Sequence, residues 1–223
     1  MRDRSSKTAS YSVDAVLVTA MGNELAILLA RNSGDRERWS LPWRVPQLAE
    51  GLDVAAVRAA QEALGEPPNW MEQIGAFADG KRHPSEADAS VAYLALVPHE
   101  TASPRAGYAW FPIADVPPLS PRQRTMVEGA VRTIQSRLEQ APIAFRLLPL
   151  TFTLGELQQM YELLLGKRLH KASFRRALQA AWLVEPTDEW RSEGRGRPAQ
   201  LFRYLPKKRR RPHRGVRFDF LYP

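Results

Sequence analysis

The chain has 223 residues, no cysteine and a hydrophobic fraction of 44%, which is length enough for two modest domains with real cores. The missing cysteines exclude disulfides, thiolate zinc sites and cysteine nucleophiles together. No apolar run approaches the roughly 20 residues of a membrane helix, and none follows the basic start Met1-Arg2-Asp3-Arg4, so a cytoplasmic protein with no membrane partner is expected. The net charge of +8 is unevenly placed: residues 151–223 hold 16 of the 32 Lys/Arg but 7 of the 24 Asp/Glu, a net +9, and residues 1–150 carry 16 against 17, a net −1. Such asymmetry suits a nucleic-acid-binding segment joined to a neutral one. The plainer alternative is a solvated basic tail, since residues 207–217 supply much of the excess.

Taken in chain order, residues 1–10 are expected to be disordered. Val13, Ala15 and Leu17 alternate with Ser12, Asp14 and Val16 over 11–20, and an apolar run covers 24–31. Met21-Gly22-Asn23 between them marks a hairpin turn. Asp53 suits a helix N-cap, followed by Val54, Val57, Ala60, Gln61 and Leu64, with a stop at Gly65; Pro67-Pro68 prevents continuation. Strands are expected at 74–78 and 90–97, joined by the polar segment 79–88. Ser120 is a candidate cap for a helix to about residue 138, on which Val127, Val131, Ile134 and Leu138 form one stripe. Pro142 marks a boundary.

The last third reads as a second domain. Residues 143–148 suggest a short helix ended by Pro149. Thr153 can cap a helix carrying Leu154, Leu157, Tyr161, Leu164 and Leu165, with Glu156 at the capping-box position and Gly166 at the stop. A second helix, about 170–182, turns Phe174, Leu178 and Ala181 inward and leaves Lys171, Ser173, Arg175 and Arg176 largely outside. Strands at 183–185 and 201–205 can pair across 187–199. Helix, helix, helix, hairpin is the order of a winged helix-turn-helix. The expected fold class is therefore α+β: an α/β/α sandwich over 11–140, a winged helix over 143–206, and a basic tail over 207–223 that stays disordered when free.

Leu41-Pro42-Trp43-Arg44 through Gly65 resembles the Nudix box. Glu50, Arg58, Glu62 and Gly65 match it; Arg44 replaces its first glycine, and Ala59 and Ala63 replace two of its carboxylates. In Nudix hydrolases those carboxylates hold a divalent metal against a substrate diphosphate. A hard cation needs several oxygens, which this set cannot supply, so a sensor is expected rather than an enzyme. Leu148-Pro149, Phe152-Thr153-Leu154, Glu156-Leu157-Gln158, Tyr161-Glu162, Phe174-Arg175-Arg176 and Arg197-Pro198-Ala199, in that order, are similar to the Nudix-related transcriptional regulators of NAD metabolism. Gly75 to Asp79, Lys81-Arg82 and Val91-Ala92-Tyr93 are similar to their Nudix part. The resemblance implies a repressor of NAD or related nucleotide or sugar metabolism genes. It would be a homodimer on a palindromic operator in double-stranded DNA, answering to a nucleotide metabolite. Arg122-Gln123-Arg124 departs from the Asp-His pair usual there.

The candidate ligand residues are Arg31, Arg44, Arg58, Glu62, Lys81 and Arg82. The four cations Arg31, Arg44, Lys81 and Arg82 bound the Nudix cleft, and diphosphates favour arginine forks; singly, each reads as a surface charge. Arg44 could place a fixed cation where the metal would sit. Glu62 reads more readily as a partner for Arg58 one turn away, and Trp39 or Phe77, each a candidate adenine platform, more readily as core. No cofactor is required, no catalytic or metal residue is proposed, and the effector is ADP-ribose, NAD or ATP. His83, His99, His170 and His213 show no metal-ligand spacing. For DNA, the candidates are Lys171, Ser173, Arg175 and Arg176 on the second helix, Arg195 and Arg197 in the wing, and Lys207, Lys208 and Arg209 in the tail. The rival is a hydrolase of ADP-ribose or a related nucleoside diphosphate derivative, with Glu50 and Glu62 helped by Glu86 and Asp88. An RNA module fits less well, for want of an aromatic platform.

Overall fold

The computed structural model describes residues 10–32, 38–101, 103–138, 142–192 and 198–205. They divide into two compact units, one formed by residues up to Ala130 and one by those from Val131, apart from two short segments. The dividing line falls inside a helix.

The first unit is built on a mixed sheet. Its strands are β1 (Tyr11–Met21), β2 (Glu24–Asn32), β3 (Arg38–Ser40), β4 (Trp43–Arg44), β5 (Met71–Phe77), β6 (Ala89–Leu96) and β7 (Tyr108–Pro112), with helices α1 (Leu52–Leu64) and α2 (Pro121–Arg137). The strand order is β3-β2-β1-β6-β5, with β4 paired to β1 and β7 to β2. β1 and β6 run parallel from Tyr11↔Ala89 to Val18↔Leu96. Gly22, at positive φ, closes the β1–β2 turn.

β1 is buried without interruption from Ser12 to Thr19, so both faces of the sheet are covered. On one face Val13 and Tyr93 pack against Ala55 and Ala56 of α1, with Leu52, Met71 and Val91 around them. Strand alternation sends Asp14 to the other face, where it meets Gln123 in the first turn of α2. The expected hairpin and both helices are present.

Two expected caps are corrected. α1 begins at Leu52 with Gly51 as its N-cap and no side-chain capping bond, so Asp53 lies inside the first turn. Gly51 leaves room for the Asp53 carboxylate, since a Cβ there would come within 2.8 Å of its Oδ1. Ser120 does not cap through its side chain: its buried hydroxyl has no hydrogen-bond partner, and its carbonyl accepts from Arg124 N–H.

The second unit contains a 3-10 turn at Ile143–Arg146, β8 (Thr151–Thr153), α3 (Leu154–Leu165), α4 (Lys171–Ala181), β9 (Val184–Arg191) and β10 (Ala199–Tyr204). The expected first helix is only this turn, because Pro142 and Pro149 leave too few residues between them. β8 was not expected; three residues show no periodicity, yet it completes a sheet ordered β8-β10-β9. β9 also continues through Thr187 to Arg191, pairing Arg191 with Ala199, so the hairpin is longer than expected.

The core of this unit is aromatic. Phe145 packs on Phe152 and Tyr204 with ring centroids 5.6 and 4.7 Å apart, and Tyr161 on Phe174 at 5.5 Å. Thr153 and Glu156 close a reciprocal capping box at the start of α3, and Gly166 at φ 65 ends the helix. Arg191 of β9 donates to Glu156 Oε1 at 2.6 Å, fastening the hairpin to that helix start.

Burial outweighs capping here. Phe174→Ala is expected to cost about 3–5 kcal/mol and Thr153→Ala about 1 kcal/mol, as read by denaturant unfolding of the second unit.

Candidate functional site

β4 and α1 carry the residues of the Nudix box. Pairing of Val13 with Arg44, and of Asp14 with Trp43, fixes β4 against β1, as does the bond from Ala15 N–H to Pro42 O at 2.8 Å. Arg58 does not pair with Glu62. It forks onto Glu50, with Nε to Oε1 at 3.0 Å and Nη2 to Oε2 at 2.8 Å, while Gln47 N–H donates to the same carboxylate at 2.7 Å. Glu50 stands just before the helix, and both of its oxygens can meet both edges of the guanidinium, which a neighbour one turn away on the helix surface does less readily. Arg58 and the Gln47 amide hold the Glu50 carboxyl below the usual carboxylate range.

Glu62 pairs instead with Arg44, whose Nη1 also donates to Trp43 O at 2.8 Å. Ala59 and Ala63 are 1% and 0% exposed. A divalent ion does not fit these residues. Both surviving carboxylates are held by arginines, the other two positions bear buried methyl groups, and no group of three or more His, Asp or Glu converges among the described residues.

The other predicted ligand cations sit on two further elements. Arg31, exposed, lies on β2 opposite Trp39. Trp39 packs edge-on against Phe111 at 4.7 Å. Lys81 and Arg82 lie on the 79–88 loop: Lys81 donates to Thr125 Oγ1 at 2.9 Å and pairs with Asp79, and Arg82 is exposed with its carbonyl accepting from Arg122 N–H. Trp43 meets His83 edge-on at 5.6 Å on the face of the sheet that carries Asp14, while Arg44, paired with Val13, is turned to the α1 face.

Sequence reading missed the network that holds the loop. Asp14 is 0% exposed and accepts from His83 Nε2 at 2.8 Å, Gln123 Nε2 at 3.0 Å and Ser12 Oγ at 3.0 Å. Ser85 N–H donates to His83 Nδ1, which leaves the imidazole proton on Nε2 facing Asp14. Leu41 N–H donates to Gln123 Oε1 and so orients the amide. Arg122, 2% exposed, reaches the carbonyls of Ala87 and Asp88 and donates to Ser90 Oγ, which in turn meets Ser12 Oγ at 2.8 Å. Arg122-Gln123, noted as a departure from the family pattern, is thus the pair that anchors the loop to α2. The available signal was two polar residues in the first turn of a helix whose stripe is apolar.

In the second unit, Glu162 builds the turn between α3 and α4. Its Oε1 accepts from Leu169 N–H and Gln158 Nε2, each at 2.9 Å, its Oε2 from Arg168 at 3.3 Å, and its carbonyl from Lys167 N–H. Burial pushes the Glu162 carboxyl up, but these donors outweigh it and hold the group below the usual range. On α4, Phe174, Ala177 and Leu178 are buried, Lys171, Arg175 and Arg176 exposed, and Ser173 half-buried with Oγ 3.2 Å from His170 Nδ1. Arg195, Arg197, Lys207, Lys208 and Arg209 lie outside the described residues.

The NUDIX domain family model matches residues 10–129. The chain belongs to the Nudix family. Behind its Nudix domain, residues 144–204 match the NrtR DNA-binding winged helix domain. A curated relative, the ADPR responsive transcriptional repressor NtrR of Acinetobacter baylyi, is 28% identical over 203 residues, covering 86% of this chain and 81% of its own. Shewanella oneidensis NrtR complexed with a 27mer DNA superposes with a TM-score of 0.77 at 29% identity, over 87% of this chain and 93% of that one. The NUDIX domain of the same protein complexed with ADP ribose shares the fold at 24% identity and TM-score 0.50, over 60% of this chain and 94% of that one.

Two consequences are measurable. Asp14→Ala strands the donors of His83 and Gln123 in the interior and is expected to cost about 3 kcal/mol in denaturant unfolding. Glu162→Ala is expected to cost about 1–3 kcal/mol at neutral pH. Because the folded state lowers this carboxyl's pKa, its contribution is present above the unfolded value and lost as pH falls through the folded one. The stability gap between wild type and Glu162→Ala therefore narrows below about pH 4.

Proposed function

We propose that this Nudix protein is a DNA-binding transcriptional repressor of NAD or related nucleotide metabolism genes, controlled by an adenine-nucleotide diphosphate, ADP-ribose first. The observation that carries this reading is the joining of an NrtR winged helix to a Nudix box whose two remaining carboxylates are each held by an arginine. Residues 11–140 form the sensor and 143–206 the reader. The relative from Acinetobacter baylyi is named for ADPR response and repression, and the Shewanella oneidensis protein for complexes with DNA and with ADP ribose; those properties support the same assignment here. NAD and ATP are the next effectors to try.

On α4, the exposed guanidinium groups of Arg175 and Arg176 suit forks onto guanine O6 and N7, and Lys171 and Ser173 suit phosphate. Arg195 and Arg197 would reach a narrow minor groove, and Lys207, Lys208 and Arg209 would add attraction without sequence information. The protein acts in the cytoplasm as a homodimer on a palindromic operator, its half-sites one helical turn, or a multiple, apart. It is not an enzyme: the tied carboxylates leave hydrolysis of ADP-ribose without its metal ligands. Among the described residues no helix is long and apolar enough to cross a membrane.

Fluorescence anisotropy with a palindromic operator tests this reading. Arg175→Ala or Arg176→Ala is expected to cost about 1–3 kcal/mol and relax sequence preference, whereas deleting 207–211 weakens all DNA alike and lowers the salt slope. ADP-ribose should change the operator affinity, and Mg²⁺ with ADP-ribose should give no turnover above background. Discrimination that survives both arginine variants but vanishes with the tail, or robust turnover lost in Glu62→Gln, refutes the assignment.

A further inference from the structure

We propose that Arg44 stands in for the divalent ion of the Nudix fold: its guanidinium supplies the positive charge for the effector's diphosphate, and the cleft binds that diphosphate without metal. The inference rests on the effector reading above and adds to it a binding residue, a ligand subsite and an independence from metal.

Four observations converge on Arg44. It occupies the first glycine position of the box, where a metal-binding turn lets the backbone approach the ion and diphosphate closely. The residue there is instead a strand residue, locked to Val13 of the central strand and following Trp43, whose ring lies against His83. Its guanidinium reaches Glu62, the box carboxylate that remains on the central helix, and so puts a fixed positive charge where a cation would have had to bind. Finally, the pair is open: the side chains are 32% and 47% exposed.

The hydrogen-bond inventory leaves Arg44 free to take a ligand. A guanidinium has five N–H donors. Trp43 O and Glu62 engage two groups of them, and the rest make no bond to a described residue. An exposed ion pair of this kind is weak, whereas a guanidinium meeting a phosphate gains a planar two-point fork. Glu62 therefore holds Arg44 in position when the cleft is empty and competes with the diphosphate for it. A divalent ion approaching Glu62 would meet the guanidinium first, and like charges repel. Glu50 offers no alternative, since Arg58 and Gln47 N–H already occupy its oxygens.

The test is calorimetric titration of ADP-ribose into the full chain, in EDTA and in millimolar Mg²⁺, for wild type, Arg44→Ala, Arg44→Gln and Glu62→Gln. Thermal unfolding without ligand reports whether each variant is folded. Wild type is expected to bind equally in the two buffers. Both Arg44 variants should bind at least about tenfold more weakly in EDTA, as expected for loss of hydrogen bonds to a charged group. Glu62→Gln, which removes the carboxylate that competes for Arg44, should bind more tightly than wild type in both buffers. Binding by wild type only in Mg²⁺ overturns the inference and leaves the effector reading standing. So does undiminished binding by folded Arg44 variants in EDTA, or binding by folded Glu62→Gln that is no tighter than that of wild type. Failure of wild type to bind in either buffer overturns the effector reading, and the inference with it.

Discussion

A carboxylate on the central strand of a sheet covered on both faces must be surrounded by donors, because a buried acceptor left without them is costly. Asp14 is in that position, and the residues that satisfy it come from three parts of the chain: Ser12 beside it, His83 from the 79–88 loop and Gln123 from α2. The donors run in one direction. Arg122 donates to Ser90, leaving the Ser90 hydroxyl proton for Ser12 and the Ser12 proton for Asp14, so a buried cation and a buried carboxylate are joined through two hydroxyl groups. Satisfying Asp14 therefore fixes how the loop sits on the sheet. Since His83 also meets Trp43, it braces β4 as well.

The Nudix box departs from its pattern at a few positions, and the departures act on charge rather than on the scaffold. The helix, its αL stop at Gly65 and its position over Val13 and Tyr93 remain. What changed is charge. Two carboxylates became buried methyl groups, and a flexible position became an arginine aimed at one of the two that remain. The other is tied by Arg58, an arginine of the box itself. Each remaining acid is thereby neutralised locally, and the helix no longer presents the cluster of oxygens that would draw a hard cation. Packing keeps the scaffold of the box; its charges are paired among themselves.

In the winged helix the cationic face of α4 depends on the turn before the helix as well as on the helix's own core residues. α4 has no side-chain cap and depends for its position on Phe174, seated against Tyr161 of α3. The angle between α3 and α4 is set where Glu162 gathers Leu169 N–H, Gln158 and Arg168. One face of α4 is then buried by Phe174, Ala177 and Leu178, and the opposite face carries Lys171, Arg175 and Arg176 into solvent. The charge of the last third is thus a directed surface along this helix and not only a property of the tail.

Much of this was legible in the chain. The hairpin at Gly22, the helix ending at Gly65, the Thr153–Glu156 capping box and the inward Phe174 and Leu178 follow from local rules, because turn glycines, caps and helical periodicity act over a few residues. The order of motifs across both domains carried the family. Three kinds of feature did not follow. β8 was too short to show a period. Asp53 had the composition of a cap but lies inside the first turn, and Ser120 stands at the start of its helix without capping through its hydroxyl. The partners of charged residues were decided by the fold: Arg58 chose Glu50 over Glu62, Glu62 took Arg44, and Asp14, His83, Arg122 and Gln123, far apart in sequence, became one buried network. Sequence by itself determined most helices, the hairpins and the family, whose signals are local or collinear. Tertiary structure alone decided which charges meet, because ion pairs and buried hydrogen bonds depend on distances that only folding sets.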